Sequence, residues 1–174
     1  MAWPEYLPYL KYPIFRTFPK RNALNGGMLW FYLSDSSKVT NKTTMQFFNY
    51  AGTEANSESF HYSQAVRIGN TIKTSGQGGW DESGNVHPDV EQQVAIAFEN
   101  VEKALKSVDS RLSWENVYAV RSYHINVDQT FDMVTGNFKK VLPGHRPIWT
   151  CVEIGKLGIE GMVIEIEVEA HCPY

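Results

Sequence analysis

"NVYAVRSYHINVDQTFDMVTGNFKKVL", residues 116–142, changes its hydrophobic period partway along. Residues 116–127 are apolar on both faces of an extended chain, which predicts a strand. The following residues, 128–142, carry apolar side chains at helical spacing, which predicts a helix with Asp128 as its cap. The apolar side chains of that face are Phe131, Val134, Phe138 and Val141. A strand that leads directly into an amphipathic helix is typical of folds in which helices cover a sheet.

A second helix is predicted upstream of this stretch, from Pro88 to about Val108. Acidic Asp89 and Glu91 stand at its positive N-terminal end, and apolar residues follow at helical spacing. Before it, "SQAVRIGNTIKTSGQ" (63–77) predicts two short strands joined by a turn.

Two further strands are predicted downstream, "PIWTCVEI" (147–154) and "GMVIEIEVEA" (161–170). In the second, isoleucine and valine alternate with Glu165 and the two glutamates that follow it at every second position. From about residue 62 the order β-β-α-β-α-β-β predicts an α+β fold with both helices on one face of the sheet. The other face needs covering, and oligomerisation is the usual way to cover it.

The first sixty residues have a different pattern. Aromatic residues recur at every third position of the first eighteen, at Trp3, Tyr6, Tyr9, Tyr12, Phe15 and Phe18. This period is that of polyproline II, and it predicts an aromatic arm that packs on the domain or, alternatively, forms a lid over a ligand pocket. We predict an N-terminal extension over 1–60, with short strands within 28–33 and 44–50 and a boundary loop over 52–59. The main domain is predicted over 61–174.

Composition limits the functional classes. The 174 residues carry a net charge of −3 with a pI near 5.9, which does not favour nucleic acid or an anionic membrane as a partner. No apolar run approaches the roughly 20 residues of a membrane helix. Cys151 and Cys172 are too few for a disulfide scaffold, so we expect a reduced, cytoplasmic protein. No metal-binding or phosphate-binding motif is present, so we expect no metal site and no cofactor.

At this point the sequence resembles a known family. The stretches "YSQAVRIGNTIKTSGQ", "NVYAVRSYHINVDQTFDMVTGNF" and "TCVEI…IEIEVEA" are together similar to the RidA (YjgF/YER057c/UK114) superfamily, over residues 62–170. The resemblance implies a chorismate-mutase-like fold with a six-stranded sheet, two helices on one face, and a homotrimer with clefts between subunits. It also implies hydrolysis of 2-imino and enamino acids to 2-keto acids and ammonia, without metal or cofactor.

The resemblance also implies a set of site residues. Glu165 matches the glutamate that positions the attacking water, and Tyr62 matches a pocket tyrosine. Ser75 and Gly76 match a turn whose backbone contacts the substrate. Cys151 matches a pocket cysteine.

Trp149 stands where the family has its catalytic arginine. An arginine clamps a carboxylate through two charge-assisted hydrogen bonds, whereas tryptophan offers one N–H and a large apolar face. This substitution favours a bulkier, more apolar substrate. Arg146 lies three residues upstream, about 10 Å away and on the opposite face in a regular strand. A bend at Pro147 could bring it round; otherwise Arg146 is a surface residue and Trp149 packs on the sheet.

His124 shares a strand face with Ser122 and Asn126 and is a further candidate substrate contact, although a single histidine is more often structural. The leading prediction is therefore an imine or enamine hydrolase of the deaminase type, with Glu165 as general acid–base. The alternatives are an isomerase or cyclase of specialised metabolism in the same pocket, or a non-catalytic ligand-binding trimer. Ribonuclease activity is disfavoured because the chain lacks a basic, aromatic-lined groove.

Overall fold

The computed structural model describes residues 44–174, which form one sheet and three α-helices. The strands are β1 Met45–Phe48, β2 Ala65–Ile68, β3 Thr71–Thr74, β4 Gln77–Gly78, β5 Val117–His124, β6 Ile148–Glu153 and β7 Ile164–His171. The helices are α1 Glu54–Phe60, α2 Val90–Val108 and α3 Val127–Val141, with a 3-10 turn at Trp114–Asn116. The strand order is β1-β2-β3-β7-β5-β6, with β4 also paired to β7. Only the β5–β6 pair among these is parallel.

The predicted α+β order is confirmed, but the described residues form seven strands and not six. The extra strand arises because β3 and β4 are two segments of one line, both antiparallel to β7 and separated at Ser75–Gly76. Thr74 adds a hydrogen bond near the break, since its hydroxyl oxygen accepts from the Val168 backbone N–H at 3.0 Å. The interruption therefore lies opposite the middle of β7.

Two local predictions were wrong. The predicted loop over 52–59 contains helix α1, which ends at His61 in a left-handed conformation with a φ of 56°. Small polar residues predict a loop here, but the stretch from Glu54 to Phe60 contains no glycine or proline that would interrupt a helix. The cap of α3 is Asn126, whose side-chain oxygen accepts from the Gln129 backbone N–H at 3.1 Å, while Asp128 lies inside the first turn.

Other sequence predictions concern residues that the structure does not describe. The aromatic arm and the strand within 28–33 both lie outside the described residues. Strand β1 and helix α1 belong to the predicted extension 1–60, and β1 pairs with β2 in the sheet. The boundary at residue 60 stays a prediction. Within residues 44–174, no helix combines the length and the apolar character needed to cross a membrane.

The hydrophobic core lies between one face of the sheet and helices α2 and α3. Ile164 and Ile166 of β7 are fully buried there, together with Leu105 of α2 and Val134 of α3. Trp114 closes the core: its ring stacks on Phe98 at 4.7 Å, and its indole N–H donates to the Phe98 carbonyl at 3.0 Å. Among residues 44–174, no helix packs in this way on the opposite face of the sheet, the open face, which displays the glutamates of β7.

Leu105→Ala tests this core assignment. Removing three carbon atoms from the side chain of a fully buried leucine is expected to lower the free energy of unfolding by about 2–5 kcal/mol. Ile159→Ala is the control, because Ile159 is 44% exposed and its truncation should cost far less. Urea denaturation of both variants measures the difference, and equal losses would contradict the core assignment.

Candidate functional site

Strand register places the predicted site residues on two opposite faces of the sheet. Ser122 of β5 pairs with Ile166 on one side and with Cys151 on the other, so all three share the helix-covered face. Tyr123 pairs with Glu165, and these two share the open face. Within one chain, Glu165 and Cys151 therefore do not meet in a common pocket.

Glu165 differs from the other two open-face glutamates of β7. Glu167 forms an ion pair with Arg121 at 3.0 Å, and Glu169 forms one with Lys73 at 3.1 Å. The half-buried Glu165 carboxyl has no hydrogen bond or ion pair with any residue in 44–174. Burial, and secondarily the charge of Glu167, raise its pKa above the usual glutamate value. Of the three carboxyls, Glu165 is thus the one with a raised pKa and no partner within residues 44–174.

Gly76 is required by the position of the Glu165 carboxyl. A Cβ added at Gly76 would overlap that carboxyl, so any larger residue must displace it. Ser75 anchors the same turn: its backbone N–H donates to the Gln64 carbonyl at 2.9 Å and its hydroxyl to the Ser63 carbonyl at 2.7 Å. The turn and the glutamate side chain are therefore in close contact.

A cavity of about 250 Å³ adjoins this turn. Tyr62 and Ser75 line it, together with Phe47 and Lys73, which the sequence analysis did not single out. Lys73 follows the buried Ile72 in β3, and this alternation was the available signal that it points to the open face.

Two buried glutamines hold Tyr62 in place. The Gln64 side-chain amide donates to the Tyr62 hydroxyl oxygen at 2.9 Å, and the Gln77 amide donates to the Gln64 side-chain oxygen at 2.8 Å. The Tyr50 hydroxyl in turn donates to the Gln77 side-chain oxygen at 2.9 Å. This network fixes the tyrosine beside the cavity and was not visible in the sequence pattern.

Trp149 lies on the helix-covered face, against α3. Its indole N–H donates to the Ser122 hydroxyl at 2.9 Å, and its ring contacts Phe131 and Phe138 at centroid distances of 5.2 and 5.1 Å. The single N–H is already used, so Trp149 cannot replace an arginine as a carboxylate clamp.

His124 is buried beneath this tryptophan with no exposed surface. The Thr130 hydroxyl donates to the Asn126 carbonyl at 2.8 Å, so its oxygen accepts from His124 Nδ1 at 2.6 Å. The remaining nitrogen, Nε2, accepts from the Ser122 hydroxyl at 2.8 Å. Burial lowers the histidine pKa and favours the neutral ring. With both nitrogens engaged, His124 has a structural role here rather than the predicted substrate contact.

Cys151 lies beside the same network. Burial raises the pKa of its thiol, and a hydrogen bond with Ser122 opposes this only in part. A thiol of this kind is largely protonated at neutral pH and is a weak nucleophile.

Arg146 lies outside the regular strand. Because β6 begins only at Ile148, the alternation of a strand does not apply to Arg146, and it lines one cavity together with Trp149. Its guanidinium is exposed and has no hydrogen bond or ion pair within the described residues. The role of Arg146 as a replacement for the arginine stays a prediction. Across residues 44–174, no group of three histidine, cysteine or acidic side chains is placed to hold a metal ion.

Fold and site together define an α+β protein with helices on one face of its sheet and, on the other, a glutamate that has no ion-pair partner within residues 44–174. A family model described as Endoribonuclease L-PSP matches residues 53–172. The chain belongs to this family, and the resemblance to the RidA superfamily is confirmed.

Relatives and solved structures agree with this assignment. The chain is 33% identical over 113 residues to the RutC family protein YjgH of Escherichia coli, covering 64% of this chain and 83% of the relative. It is 29% identical over 108 residues to the mitochondrial protein mmf2 of Schizosaccharomyces pombe, covering 62% and 83% respectively. A solved structure of protein YjgH, 28% identical, superposes with a TM-score of 0.66 over 74% of this chain and 97% of that chain.

Glu165→Gln tests the isolation of the Glu165 carboxyl. The pKa of Glu165 is higher in the folded protein than in the unfolded chain. At pH values above the ordinary glutamate pKa, the folded protein therefore holds more protons than the unfolded chain, and its stability falls as the pH rises through the folded-state pKa. The variant should therefore be more stable than wild type at pH 7, and the gain should vanish below about pH 4. Urea unfolding at several pH values measures it. The exposed carboxyl of Glu160 is the control, since Glu160→Gln should change little; a destabilised Glu165→Gln at pH 7 would contradict the account.

Proposed function

We propose that this protein is a cofactor-independent enzyme that acts on an imine, enamine or related carbonyl compound by general acid–base chemistry. The observation that carries the proposal is the Glu165 carboxyl, which is half-buried, unpaired within residues 44–174 and held against Gly76. Family membership supplies the reaction class of imine and enamine deamination.

Glu165 performs the proton transfers. As a carboxylate it takes a proton from a water molecule while the water oxygen forms a bond to the carbon of the protonated imine, giving a neutral carbinolamine. Glu165 then gives this proton to the nitrogen. As the carbon–nitrogen bond breaks, the Glu165 carboxylate takes the hydroxyl proton and passes it to the departing ammonia, so that ammonium and a carbonyl product leave. A raised pKa suits both steps, because a carboxylate with a higher proton affinity is a stronger base towards water and can still return the proton to nitrogen. Tyr62, Ser75 and Gly76 orient the substrate at the neighbouring cavity.

The substrate we propose is bulkier and more apolar than 2-aminoacrylate. Trp149 offers a ring and no free N–H at the position of the family's arginine. An isomerase or cyclase reaction would use the same base on a carbon–hydrogen bond instead of water. Water serves as the nucleophile in the hydrolytic case, so no cofactor is required.

We also propose a homotrimer with its sites between subunits. Trp149 and Cys151 lie on the opposite face from Glu165, so only a second copy can bring them to the same ligand. The open face supports such an assembly, because Phe47 and Ile148 are 63% and 74% exposed on its two flanks. We place this assembly in the cytoplasm. We propose no nucleic-acid partner, because Glu165 and its neighbouring carboxylates would repel phosphates.

A non-catalytic ligand-binding trimer is the second candidate. The observation that favours it is that the Trp149 N–H is bound to Ser122 and is not free to bind a substrate carboxylate. A protein that binds imines or keto acids without turnover would fit this candidate.

The assembly is tested by light scattering coupled to size exclusion. The expected mass is three times the 19.8 kDa of the chain. Ile148→Glu should reduce this mass, because it places a charge on the open face that the neighbouring subunit would bury, whereas Ile159→Glu should not. A monomer for the wild-type protein would contradict the proposal.

The chemistry is tested by coupled assays in which an amino-acid oxidase or a PLP-dependent dehydratase generates imines. Semicarbazide traps free imine, and keto-acid release is followed with and without the protein. Aromatic and branched 2-imino acids should be hydrolysed faster than 2-aminoacrylate. Glu165→Gln should lower the rate about 100-fold or more, and Glu160→Gln should not. The rate should rise with pH through a midpoint above the ordinary glutamate value, since the base must be ionised.

Three outcomes separate the candidates. Turnover that depends on Glu165 supports the enzyme. Saturable binding of keto acids without turnover supports the ligand-binding trimer. Turnover that Glu165→Gln leaves unchanged contradicts the role assigned to this glutamate.

A further inference from the structure

The buried glutamine pair beside Tyr62 has a single direction of hydrogen bonding. The Gln77 side-chain nitrogen lies 3.1 Å from the Ser75 carbonyl oxygen and 2.8 Å from the Gln64 side-chain oxygen. A backbone carbonyl oxygen only accepts hydrogen bonds, so the atom that faces it must be the amide nitrogen of Gln77. A reversed amide would place two acceptor oxygens against each other where Gln77 has no exposed surface, and both would be left unpaired.

The other end of this chain of hydrogen bonds gives the same direction. The Trp80 indole N–H, which can only donate, donates to the Tyr50 hydroxyl oxygen at 3.3 Å. Burial raises the pKa of Tyr50, so its hydroxyl keeps its hydrogen at neutral pH and donates it to the Gln77 side-chain oxygen at 2.9 Å. The donors therefore point from Trp80 towards Tyr62 at every step.

Gln64 is the residue that contacts Tyr62. Its side-chain oxygen accepts from Gln77, so its nitrogen faces Tyr62 and donates to the hydroxyl oxygen at 2.9 Å. This bond disfavours the orientation in which the Tyr62 hydrogen faces Gln64, because two hydrogens would then oppose each other. The hydrogen is directed away from Gln64, and it has no acceptor within residues 44–174. Since Tyr62 lines the cavity of about 250 Å³, a ligand in that cavity can supply the acceptor.

We propose that Gln64 and Gln77 are positioning residues that make Tyr62 a hydrogen-bond donor, and not an acceptor, towards the ligand. The inference rests on the proposed function, because it takes the cavity beside Tyr62 as part of the substrate site. A protonated imine nitrogen has no lone pair, so the acceptor is a carboxylate or carbonyl oxygen of the substrate. After hydrolysis the keto acid still offers such an oxygen, whereas ammonium offers only donors and is not held by Tyr62.

Gln77 also links the two parts of the site. It donates to the Ser75 carbonyl, in the turn that contacts Glu165, and to Gln64, which contacts Tyr62. The hydrogen-bond donor and the proposed base are therefore held by one buried side chain.

Calorimetric titration of the full-length protein with 2-oxo-4-phenylbutanoate tests the proposal without requiring turnover. The wild-type protein should bind this keto acid saturably. Tyr62→Phe removes the donated hydrogen bond and should raise the Kd about tenfold. Gln64→Met removes the constraint, so the hydroxyl regains its second orientation and the Kd should rise about twofold. Gln64→Glu presents an acceptor that takes the Tyr62 hydrogen, and the Kd should rise about tenfold.

A double-mutant cycle separates the orientation of Tyr62 from other effects of these substitutions. In a Tyr62→Phe background, Gln64→Met and Gln64→Glu should each change the Kd by less than about twofold, because no hydroxyl remains to orient. Loss of packing, or repulsion of the anion by a new carboxylate, would instead raise the Kd equally in both backgrounds. Urea unfolding of each variant ensures that binding is measured on folded protein.

Gln93→Met is the matched control. Gln93 is as buried as Gln64, but its side chain bonds the Gly161 carbonyl and the Val163 N–H and does not line the cavity. This substitution should lower the free energy of unfolding and leave the Kd unchanged.

The proposal is overturned if the wild-type protein does not bind the keto acid, if Gln64→Glu binds it as tightly as wild type, or if the Gln64 substitutions act equally in both backgrounds. The coupled pattern without imine hydrolysis would contradict the proposed reaction and support the orientation of Tyr62. Turnover that requires Glu165, together with uncoupled Gln64 variants, would contradict the orientation alone.

Discussion

The alternation of β7 is the constraint on which the rest of the structure depends. Its isoleucines and valine are buried under α2 and α3, while Glu165, Glu167 and Glu169 point to the open face. A slip by one residue would place three carboxylates beneath the helices, so the register is strongly specified. β7 also pairs with β3, β4 and β5, and its register therefore positions every neighbouring strand. The break at Ser75–Gly76 then provides the space that the Glu165 carboxyl occupies.

Periodicity was enough to predict the order of the elements and the outward direction of Glu165. It failed where local hydrogen bonds decide the structure, since Asn126 and not Asp128 caps α3, and a polar segment near residue 54 forms α1. It also could not show that the strand line is broken at Ser75–Gly76, because that break becomes visible only in the pairing with β7. Alternation within a strand therefore predicted which face a side chain points to, whereas the positions of strand ends and helix caps could not be predicted from the sequence pattern.

The site residues divide in the same way. Sequence resemblance grouped Glu165 with Trp149 and Cys151, but the pairing of β5 with its two neighbours separates them onto opposite faces. His124 could not be assigned from its strand position, because its burial depends on Thr130 and Ser122 contacts made across elements. The Ser122 hydroxyl also receives the Trp149 N–H, so the tryptophan is integrated into a satisfied polar network.

The central claim is that Glu165 is isolated and desolvated while its neighbours are paired. The most direct measurement is a ¹³C NMR titration of the glutamate side-chain carboxyls in the intact protein, with Glu165→Gln used to assign the resonance. The account predicts a Glu165 midpoint above the ordinary glutamate value of about 4.3, and a Glu169 midpoint below it because Lys73 pairs with that carboxylate. A Glu165 midpoint at or below the ordinary value would contradict the account.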